Sequence, residues 1–344
     1  MSFNHACPDA PAPVIASSAV VLGTAWIGAG AVLAQGTVVR SHQEAVSIGN
    51  HSAVLENSSV VGTRAHPAAI GQRTVFGHRC QVIGAQVGDL CEIGNGTILM
   101  PRARLGDGCI LGEGTLIPSG TVVPDQAVVV GRPGHVIRTA TDADRERVAR
   151  LRDYAVELTT HPRVPIRGQT PAGATMGRLY AYQDKTPQIA SSALLLDSVE
   201  ITGDVIVGED SIIGAGVKII GDSHGPVRIG AGVQILENTV LHLLPDNELV
   251  VEDDVIIGPG AMIHGCHLEA GTVVEPAAIV CDYSRVGRQS LVRAGACVKQ
   301  RDRFPARSVL DGFPAQVVET LDAPPQRPSW ALSRPALRTL VRVR

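Results

Sequence analysis

The chain has 344 residues, a length that suits about two domains. Hydrophobic residues make up 44% and aromatic residues only 3%, so a large core must be built from aliphatic side chains. The formal net charge of -3 gives no electrostatic argument for nucleic acid or an anionic membrane as a partner. The N-terminal stretch lacks the features of a signal peptide, and no apolar run reaches 18 residues. We therefore expect a cytoplasmic protein.

A large apolar residue returns at every sixth position through most of the first half. The series contains Ile15, Val21, Ile27, Leu33 and Val39; Ile48, Val54 and Val60; Ile70, Phe76 and Val82; and Val87, Ile93, Leu99, Leu105, Leu111, Ile117 and Val123. A period of six fits neither the helical repeat of 3.6 residues nor hairpin alternation. Three short strands per turn, separated by Gly or Asn corners, instead predict a parallel β-helix with 18 residues per coil.

The segment after this series has helical periodicity. Residues 141–158 can be capped by Thr141 or Asp142 and carry acidic residues in the first turn. The apolar residues that share one face are Val148, Leu151, Ala155 and Leu158. We expect this helix to pack on the flank of the first coil stack. Residues 166–186 are predicted to be a linker.

The six-residue series returns in the second half, 180 or 181 residues later. Its positions are Ile201, Val207, Ile213 and Ile219; Ile229, Ile235 and Leu241; and Val251, Ile257, Ile263, Leu268, Val274, Val280, Val286, Val292 and Val298. Both halves make one five-residue step, from Val82 to Val87 and from Ile263 to Leu268. Because two unrelated repeat tracts would not share this irregularity, the chain is interpreted as a duplication.

The sequence therefore predicts an all-β fold of two tandem left-handed parallel β-helices, each followed by a flanking α-helix or a short helical tail. The predicted domains are 1–165 with the helix at 141–158, the linker 166–186, and 187–344 with the C-terminal tail. The tail after Asp322 has five arginines and no acid. A short helix there would place Leu337, Leu340 and Val341 on the second β-helix, and a partly solvated tail is equally compatible.

The two copies differ in their histidines. At three aligned positions one copy has a histidine and the other an apolar residue: His242 against Val61, His264 against Ile83, and His78 against Pro259. His242 and His264 are 22 residues apart, and four of these belong to a loop, so one coil of 18 separates them. They should therefore stack on one face, where neutral imidazoles are suitable metal ligands.

The second half resembles the γ-class carbonic anhydrase family, within the hexapeptide-repeat superfamily. The motifs that carry the resemblance are GDVIVGEDSIIGAG (203–216), IIGD (219–222), ENTVLH (237–242), VIIGPGAMIHGC (255–266) and DGFPAQVV (311–318). The closing signature Gly312-Phe313-Pro314-Ala315 has a counterpart in Gly131-Arg132-Pro133-Gly134, so the likeness covers nearly all of both halves.

The resemblance implies a metal, Zn²⁺ or else Fe²⁺ or Co²⁺, bound by three histidines between neighbouring β-helices. Two histidines would come from one β-helix, where His242 and His264 stand, and the third from its neighbour, where His78 stands. Neither half alone has all three. The two copies are thus interpreted as complementary parts of one split site, formed when a first half faces a second half.

The resemblance also implies further candidate catalytic residues. The family's R-G-D motif is divided between the copies, because Arg40 remains in the first half and Asp222 in the second. Glu56 and Glu237 stand where the family has an Asp beside the metal. Asp246 or Glu248, on the loop at 243–250, is a further candidate proton shuttle, although the loop is also compatible with a solvated turn.

The implied reaction is the attack of metal-bound hydroxide on CO₂. The family's Gln beside the metal-bound water aligns with Leu55 and Leu236, so a related small carbonyl substrate such as a thioester, ester or amide is an alternative. A hexapeptide-repeat acyltransferase and a non-catalytic β-helix scaffold are two competing hypotheses. We expect a small-molecule substrate, a homo-oligomer with trimer-like packing of β-helices, and neither nucleic acid nor membrane as partner.

The cysteines are the last group of candidate functional side chains. Of seven, six fall within the repeats and none forms a CxxC pair. We expect reduced thiols packed as small apolar groups. Cys266, beside His264, is either a nucleophile or a core residue.

Overall fold

The computed structural model describes residues 10–167, 177–222 and 225–340, and these divide into two compact units. The first unit contains residues 10–167 and 335–340, and the second contains residues 177–334. Each unit is a parallel β-helix of short strands, so the predicted fold of two tandem left-handed parallel β-helices is confirmed. The described residues include two α-helices, and neither has the length and apolarity needed to cross a lipid bilayer.

The strands of the first unit are mostly two or three residues long. They are β1 (Val14–Ile15), β2 (Val20–Ile27), β3 (Val32–Leu33), β4 (Val38–Ile48), β5 (Ala53–Val54), β6 (Ser59–Gly62), β7 (Ala68–Ile70), β8 (Val75–Phe76), β9 (Gln81–Ile83), β10 (Gln86–Val87), β11 (Glu92–Ile93), β12 (Ile98–Leu99), β13 (Arg104–Leu105), β14 (Ile110–Leu111), β15 (Leu116–Ile117), β16 (Val122–Val123), β17 (Ala127–Val130), β18 (His135–Thr139) and β19 (Val164–Arg167).

The second unit repeats this plan. Its strands are β20 (Arg178–Tyr180), β21 (Gln188–Ile189), β22 (Leu194–Leu195), β23 (Glu200–Gly203), β24 (Val205–Val207), β25 (Ile212–Ile213), β26 (Lys218–Gly221), β27 (Val227–Ile229), β28 (Gln234–Ile235), β29 (Val240–His242), β30 (Leu249–Val251), β31 (Ile256–Ile257), β32 (Met262–His264), β33 (His267–Leu268), β34 (Val273–Val274), β35 (Ile279–Val280), β36 (Arg285–Val286), β37 (Leu291–Val292), β38 (Cys297–Val298), β39 (Arg303–Phe304), β40 (Ser308–Gly312) and β41 (Ala315–Thr320).

Each coil of the second unit places one strand in each of three parallel sheets. The sheet that matters for the candidate site has the order β20-β23-β26-β29-β32-β35-β38. Where the hexads are regular, paired residues are 18 apart, as in Ile201 with Ile219. The spacing becomes 22 where a loop is inserted, as in Leu241 with Ile263, and 17 across the five-residue step, as in Ile263 with Val280.

In the first unit, β2 and β4 continue around a corner, so two of the three faces join into one 11-stranded sheet. Both units end in an antiparallel hairpin, β17 with β18 and β40 with β41, which covers the last coil. The ends of the predicted linker are also strands. Strand β19 pairs antiparallel with β2, and β20 pairs with β23, while residues 168–176 lie outside the described part.

The apolar residues of the hexads fill the interior of each coil, as the periodicity predicts. Phe76 is fully buried among aliphatic side chains. Burying one such side chain stabilises the fold by about 1.5–3 kcal/mol. The corners need backbone with positive φ, and Asn57 and Asn238, which are equivalent in the two copies, both have φ of 56°. Asn tolerates this region better than most residues.

Cysteines take part in this core. Cys80, Cys91, Cys109 and Cys266 are buried free thiols, whereas Cys281 and Cys297 are half-buried. Burial raises the pKa of Cys80 to about 12 and also raises the pKa of Cys266. Since a neutral thiol is a poor nucleophile, the structure supports the packing role of Cys266.

The helix of the first unit, α1 (Asp142–Leu151), is shorter than the predicted 141–158. Thr141, one of the two cap residues that the sequence allows, is the N-cap and forms a capping box with Asp144. The helix ends early because Asp153 and Tyr154 adopt left-handed backbone conformations, with φ of 48° and 59°.

The predicted apolar face of α1 is also largely wrong. Val148 is buried, but Leu151 and Leu158 are 63% and 49% exposed. The helix end is instead attached through Arg152, whose guanidinium donates hydrogen bonds to the carbonyl oxygens of Arg73 (2.9 Å) and Cys91 (3.0 Å).

The C-terminal segment forms a second short helix, α2 (Arg334–Leu340). Before it, Leu332 is buried and exchanges two hydrogen bonds with the side chain of Gln234 in the second unit. From residue 335 the segment belongs to the first unit, where Leu340 packs close to Gly23. The prediction that this helix lies on the second β-helix is therefore wrong for Leu340, and Val341 lies outside the described residues.

Candidate functional site

The two histidines of the second unit end neighbouring strands of one sheet. His242 is the last residue of β29 and His264 the last residue of β32, and the two are paired in register. Each follows a fully buried aliphatic residue, so each imidazole points away from the core and is half-buried. The inserted loop accounts for their separation of 22 residues, and the predicted stacking on one face is confirmed.

The two imidazoles are in direct contact. Nδ1 of His242 lies 3.0 Å from Nε2 of His264, and the rings meet edge to face with centroids 5.0 Å apart. Two ring nitrogens at this distance either share one hydrogen or turn two lone pairs toward one point. A point that two imidazole lone pairs face is suited to a divalent cation such as Zn²⁺.

A carboxylate lies on the outer side of each imidazole. Oδ1 of Asp222 is 3.1 Å from Nε2 of His242, and Oδ2 of Asp282 is 2.7 Å from Nδ1 of His264. The four strands concerned, β26, β29, β32 and β35, are successive in the same sheet. His242 and His264 end their strands, whereas Asp222 and Asp282 follow theirs by one and two residues. Such carboxylate–histidine pairs fix the orientation of imidazoles that bind metals.

Asp282 was not predicted from the sequence. It is 7% exposed and accepts hydrogen bonds from the backbone N–H of Leu244 (3.2 Å) and from Nδ2 of Asn247 (3.1 Å). The signal was present, because Asp282 follows His264 by 18 residues. The five-residue step shortens this coil to 17 residues, so Asp282 stands one position past the residue in register with His264, at the corner of the next level.

Gly265 makes this arrangement possible. Its φ is +44°, and a Cβ at this position would lie 2.1 Å from Nδ2 of Asn247 and 2.2 Å from Oδ1 of Asp282. Asn247 also donates a hydrogen bond of 2.7 Å to the carbonyl oxygen of Gly265. A side chain here would displace Asn247 and Asp282, and Asp282 is the residue that contacts His264.

The first unit contains the other predicted residues. Nδ1 of His78 lies 2.7 Å from Oε2 of Glu56, and the two side chains are 53% and 41% exposed. Arg40, in β4, is almost completely buried. The structure thus brings together His78 and Glu56 in the first unit, and Asp222, His242 and His264 in the second.

The other residues that the resemblance singles out differ in exposure. Glu237, a predicted catalytic residue, is fully buried in the turn between β28 and β29. Leu236, which stands in place of the family's Gln, is also fully buried, and its counterpart Leu55 is half-buried. The loop acids Asp246 and Glu248 are exposed.

The second unit brings two imidazoles into direct contact. Among the residues that the structure describes, no group of three or more His, Cys, Asp or Glu side chains is arranged to hold a metal ion. A further imidazole–carboxylate pair, His267 with Glu252 at 2.6 Å, lies on β33, in a different sheet of the same unit.

Known proteins that resemble this chain include both carbonic anhydrases and hexapeptide transferases. A family model described as bacterial transferase hexapeptide (six repeats) matches residues 90–125. A carbonic anhydrase of Geobacillus kaustophilus (strain HTA426) is 36% identical over 143 residues, which cover 42% of this chain and 78% of that protein. Carnitine operon protein CaiE of Escherichia coli (strain K12) is 31% identical over 142 residues, covering 41% of this chain and 72% of that protein.

The mitochondrial gamma carbonic anhydrase 1 of Arabidopsis thaliana is 33% identical over 144 residues, or 40% of this chain. The match spans about half of that plant protein, 52% of its length. Each alignment has roughly the length of one β-helix unit. The identity to a carbonic anhydrase and the repeat in both units show that the chain belongs to the γ-carbonic-anhydrase-like family of hexapeptide-repeat proteins, as a tandem duplication of the family's domain.

Proposed function

We propose that the chain is a metal-dependent enzyme of the γ-carbonic-anhydrase type, with one three-histidine site divided between its halves. The observation that carries this proposal is the contact of His242 with His264 at 3.0 Å, with a carboxylate on the far side of each ring. Carboxylate partners usually orient imidazoles that bind metals, and here they flank two imidazoles that also contact each other.

The donor set fits a borderline divalent ion. His242 and His264 would provide two nitrogen ligands, and His78 of a first unit would provide the third, to Zn²⁺, Fe²⁺ or Co²⁺. When bound, such an ion acts as a Lewis acid and lowers the pKa of a water molecule. Asp222 and Asp282 would fix the orientation of the two imidazoles during the reaction.

The other retained residues suit the movement of protons and the exclusion of water. Glu56 already contacts His78, and Glu237 is a buried carboxylate close in sequence to His242. Both are candidate proton acceptors. Leu236 makes its surroundings more apolar than a Gln would, which favours a small, weakly polar substrate. We therefore propose CO₂, or a related small carbonyl compound, as the substrate.

The divided histidine set requires a first unit and a second unit to meet. The support for this is the sequence pattern, because each copy retains what the other has lost, as with Arg40 and Asp222. Independent loss would scatter retained residues at random between the copies. We propose a homo-oligomer in which unlike units come together, with trimer-like packing of β-helices.

The test is elemental analysis of protein purified without chelator, followed by reconstitution with Zn²⁺ or Co²⁺. We expect about one metal per chain in the wild type and loss of the metal in His242→Ala and in His264→Ala. The matched control is His267→Ala, which removes a histidine that also has a carboxylate partner but lies in another sheet. CO₂ hydration and thioester hydrolysis are then measured on the loaded protein.

A second candidate function is that of a hexapeptide acyltransferase, because residues 90–125 match the transferase repeat model. This activity predicts that acetyl-CoA raises the melting temperature, with or without metal. A protein that binds no metal and is not stabilised by acetyl-CoA would instead be a non-catalytic scaffold.

A further inference from the structure

We infer that Asp282 is a positioning residue, which fixes the orientation of His264 and attaches the loop at 243–250 to the same point. The contacts of Asp282 with His264 and the loop are present without any bound metal, whereas its role in metal binding rests on the proposed function.

Asp282 is buried, so its carboxylate depends on hydrogen bonds from neighbouring residues. Its side chain is only 10% exposed. A carboxylate removed from water to this extent must be compensated by hydrogen bonds. One oxygen, Oδ2, faces Nδ1 of His264, while the other, Oδ1, accepts from Leu244 and Asn247. The two oxygens thus have separate tasks, one for the imidazole and one for the loop.

This division determines which ring nitrogen carries hydrogen. An ionised carboxylate can only accept hydrogen bonds, so the nitrogen that faces it, Nδ1 of His264, must be the donor. In the neutral ring this leaves the lone pair on Nε2, the atom that faces His242. Asp282 therefore selects the tautomer in which His264 can bind a cation together with His242.

The duplication gives independent support. In the first copy Asp282 is replaced by Pro101, at the same offset at which His264 is replaced by Ile83. The buried carboxylate is therefore present in the copy that has the histidine. A residue needed only to close the coil has no reason to follow the histidine in this way.

The first test reads the tautomer in the wild type and uses a variant only to assign the signal. In metal-free protein with ¹⁵N-labelled histidine, the NMR signals of each imidazole report its tautomer. We expect His264, assigned by comparison with His264→Gln, to carry hydrogen on Nδ1. A signal from the tautomer with hydrogen on Nε2 alone would overturn the inference.

The second test is Asp282→Asn, which preserves size and removes the charge. The remaining oxygen is needed by Leu244 and Asn247, so the amide NH₂ should face His264 and reverse its tautomer. We expect the Kd for Co²⁺ to rise about 10- to 100-fold, the range typical of residues that orient metal ligands. The matched control is Glu252→Gln, which should leave His264 and the affinity for Co²⁺ unchanged.

The results separate the inference from the proposed function. If Asp282→Asn leaves both the tautomer of His264 and the affinity for Co²⁺ as in the wild type, Asp282 has no positioning role. If the wild type shows the expected tautomer and Asp282→Asn reverses it, while neither protein binds Co²⁺, the positioning role stands and the metal-dependent function fails.

Discussion

His78→Ala is the substitution that tests the division of the site between the two copies. The imidazole is 53% exposed and contacts only one side chain in the hydrogen bonds and ion pairs described for it, that of Glu56, which is 41% exposed. An exposed pair of this kind contributes about 0–1 kcal/mol to stability. The melting temperature should therefore fall by no more than about 2–4 °C, the shift that 1 kcal/mol causes in a domain of this size.

The effect on metal binding should be much larger. Loss of one of three nitrogen ligands should weaken binding by more than the 10- to 100-fold that follows the loss of an orienting residue. We therefore expect occupancy to fall from about one metal per chain to a small fraction of that, in protein that is still folded. The assay is elemental analysis at equal protein concentration, with thermal unfolding measured on the same samples.

A matched control is His135→Ala, which removes another exposed histidine of the first unit, on strand β18. Its metal content should equal that of the wild type. Full metal occupancy in His78→Ala would refute the split site and leave the His242–His264 pair to be explained without the first copy. If His78→Ala loses metal as expected, co-expressing it with His264→Ala shows whether the site forms between chains. A mixed oligomer regains metal only if one chain supplies His78 and another supplies His264.

The core and the helix cap give four more predictions. Cys266→Ala should retain metal and activity, and Cys80 should resist maleimide at pH 8, because burial raises both thiol pKa values; rapid labelling would contradict this. Phe76→Ala should destabilise its unit by about 3–5 kcal/mol in urea unfolding, and a loss below 1 kcal/mol would show that the coil closes around the gap. A hydrogen bond from Arg138 lowers the pKa of Asp144, so the capping interaction is present above about pH 4 and is lost as pH falls further. The protection factors of the α1 amides, which account for the slower intrinsic exchange in acid, should therefore fall as the pH drops below about 4, and unchanged protection factors would argue against this.

Much of the fold could be predicted because each coil of a β-helix is determined by a short repeat in the sequence. The hexad period, the five-residue step and the inserted loop reappear in the strand register with the spacings that the sequence indicates. Helix α1 was predicted too long for a physical reason. Its apolar spacing continues past Leu151, but the left-handed backbone at Asp153 and Tyr154 ends the helix. Neither residue is a glycine, so the sequence does not indicate a left-handed backbone there.

The candidate site was only partly predictable. His242, His264 and Asp222 were found from motifs, whereas Asp282 has no motif of its own and becomes meaningful only when the coil register is applied. The role of Asn247 depends on how the loop at 243–250 folds back, which periodicity does not determine. A sequence pattern does not reveal residues such as Asp282 and Asn247, whose role depends on where the fold places them and not on their residue type.

The row of polar side chains along one sheet of the second unit has a consequence for how this unit opens. In a solenoid each coil contacts only its neighbours, so unfolding can begin at an end and proceed one coil at a time. Asp222, His242, His264 and Asp282 tie four successive coils together by side-chain contacts. Amide hydrogens in β26, β29, β32 and β35 should therefore exchange as a single cooperative group, so that the centre of the stack is slower to fray than either end.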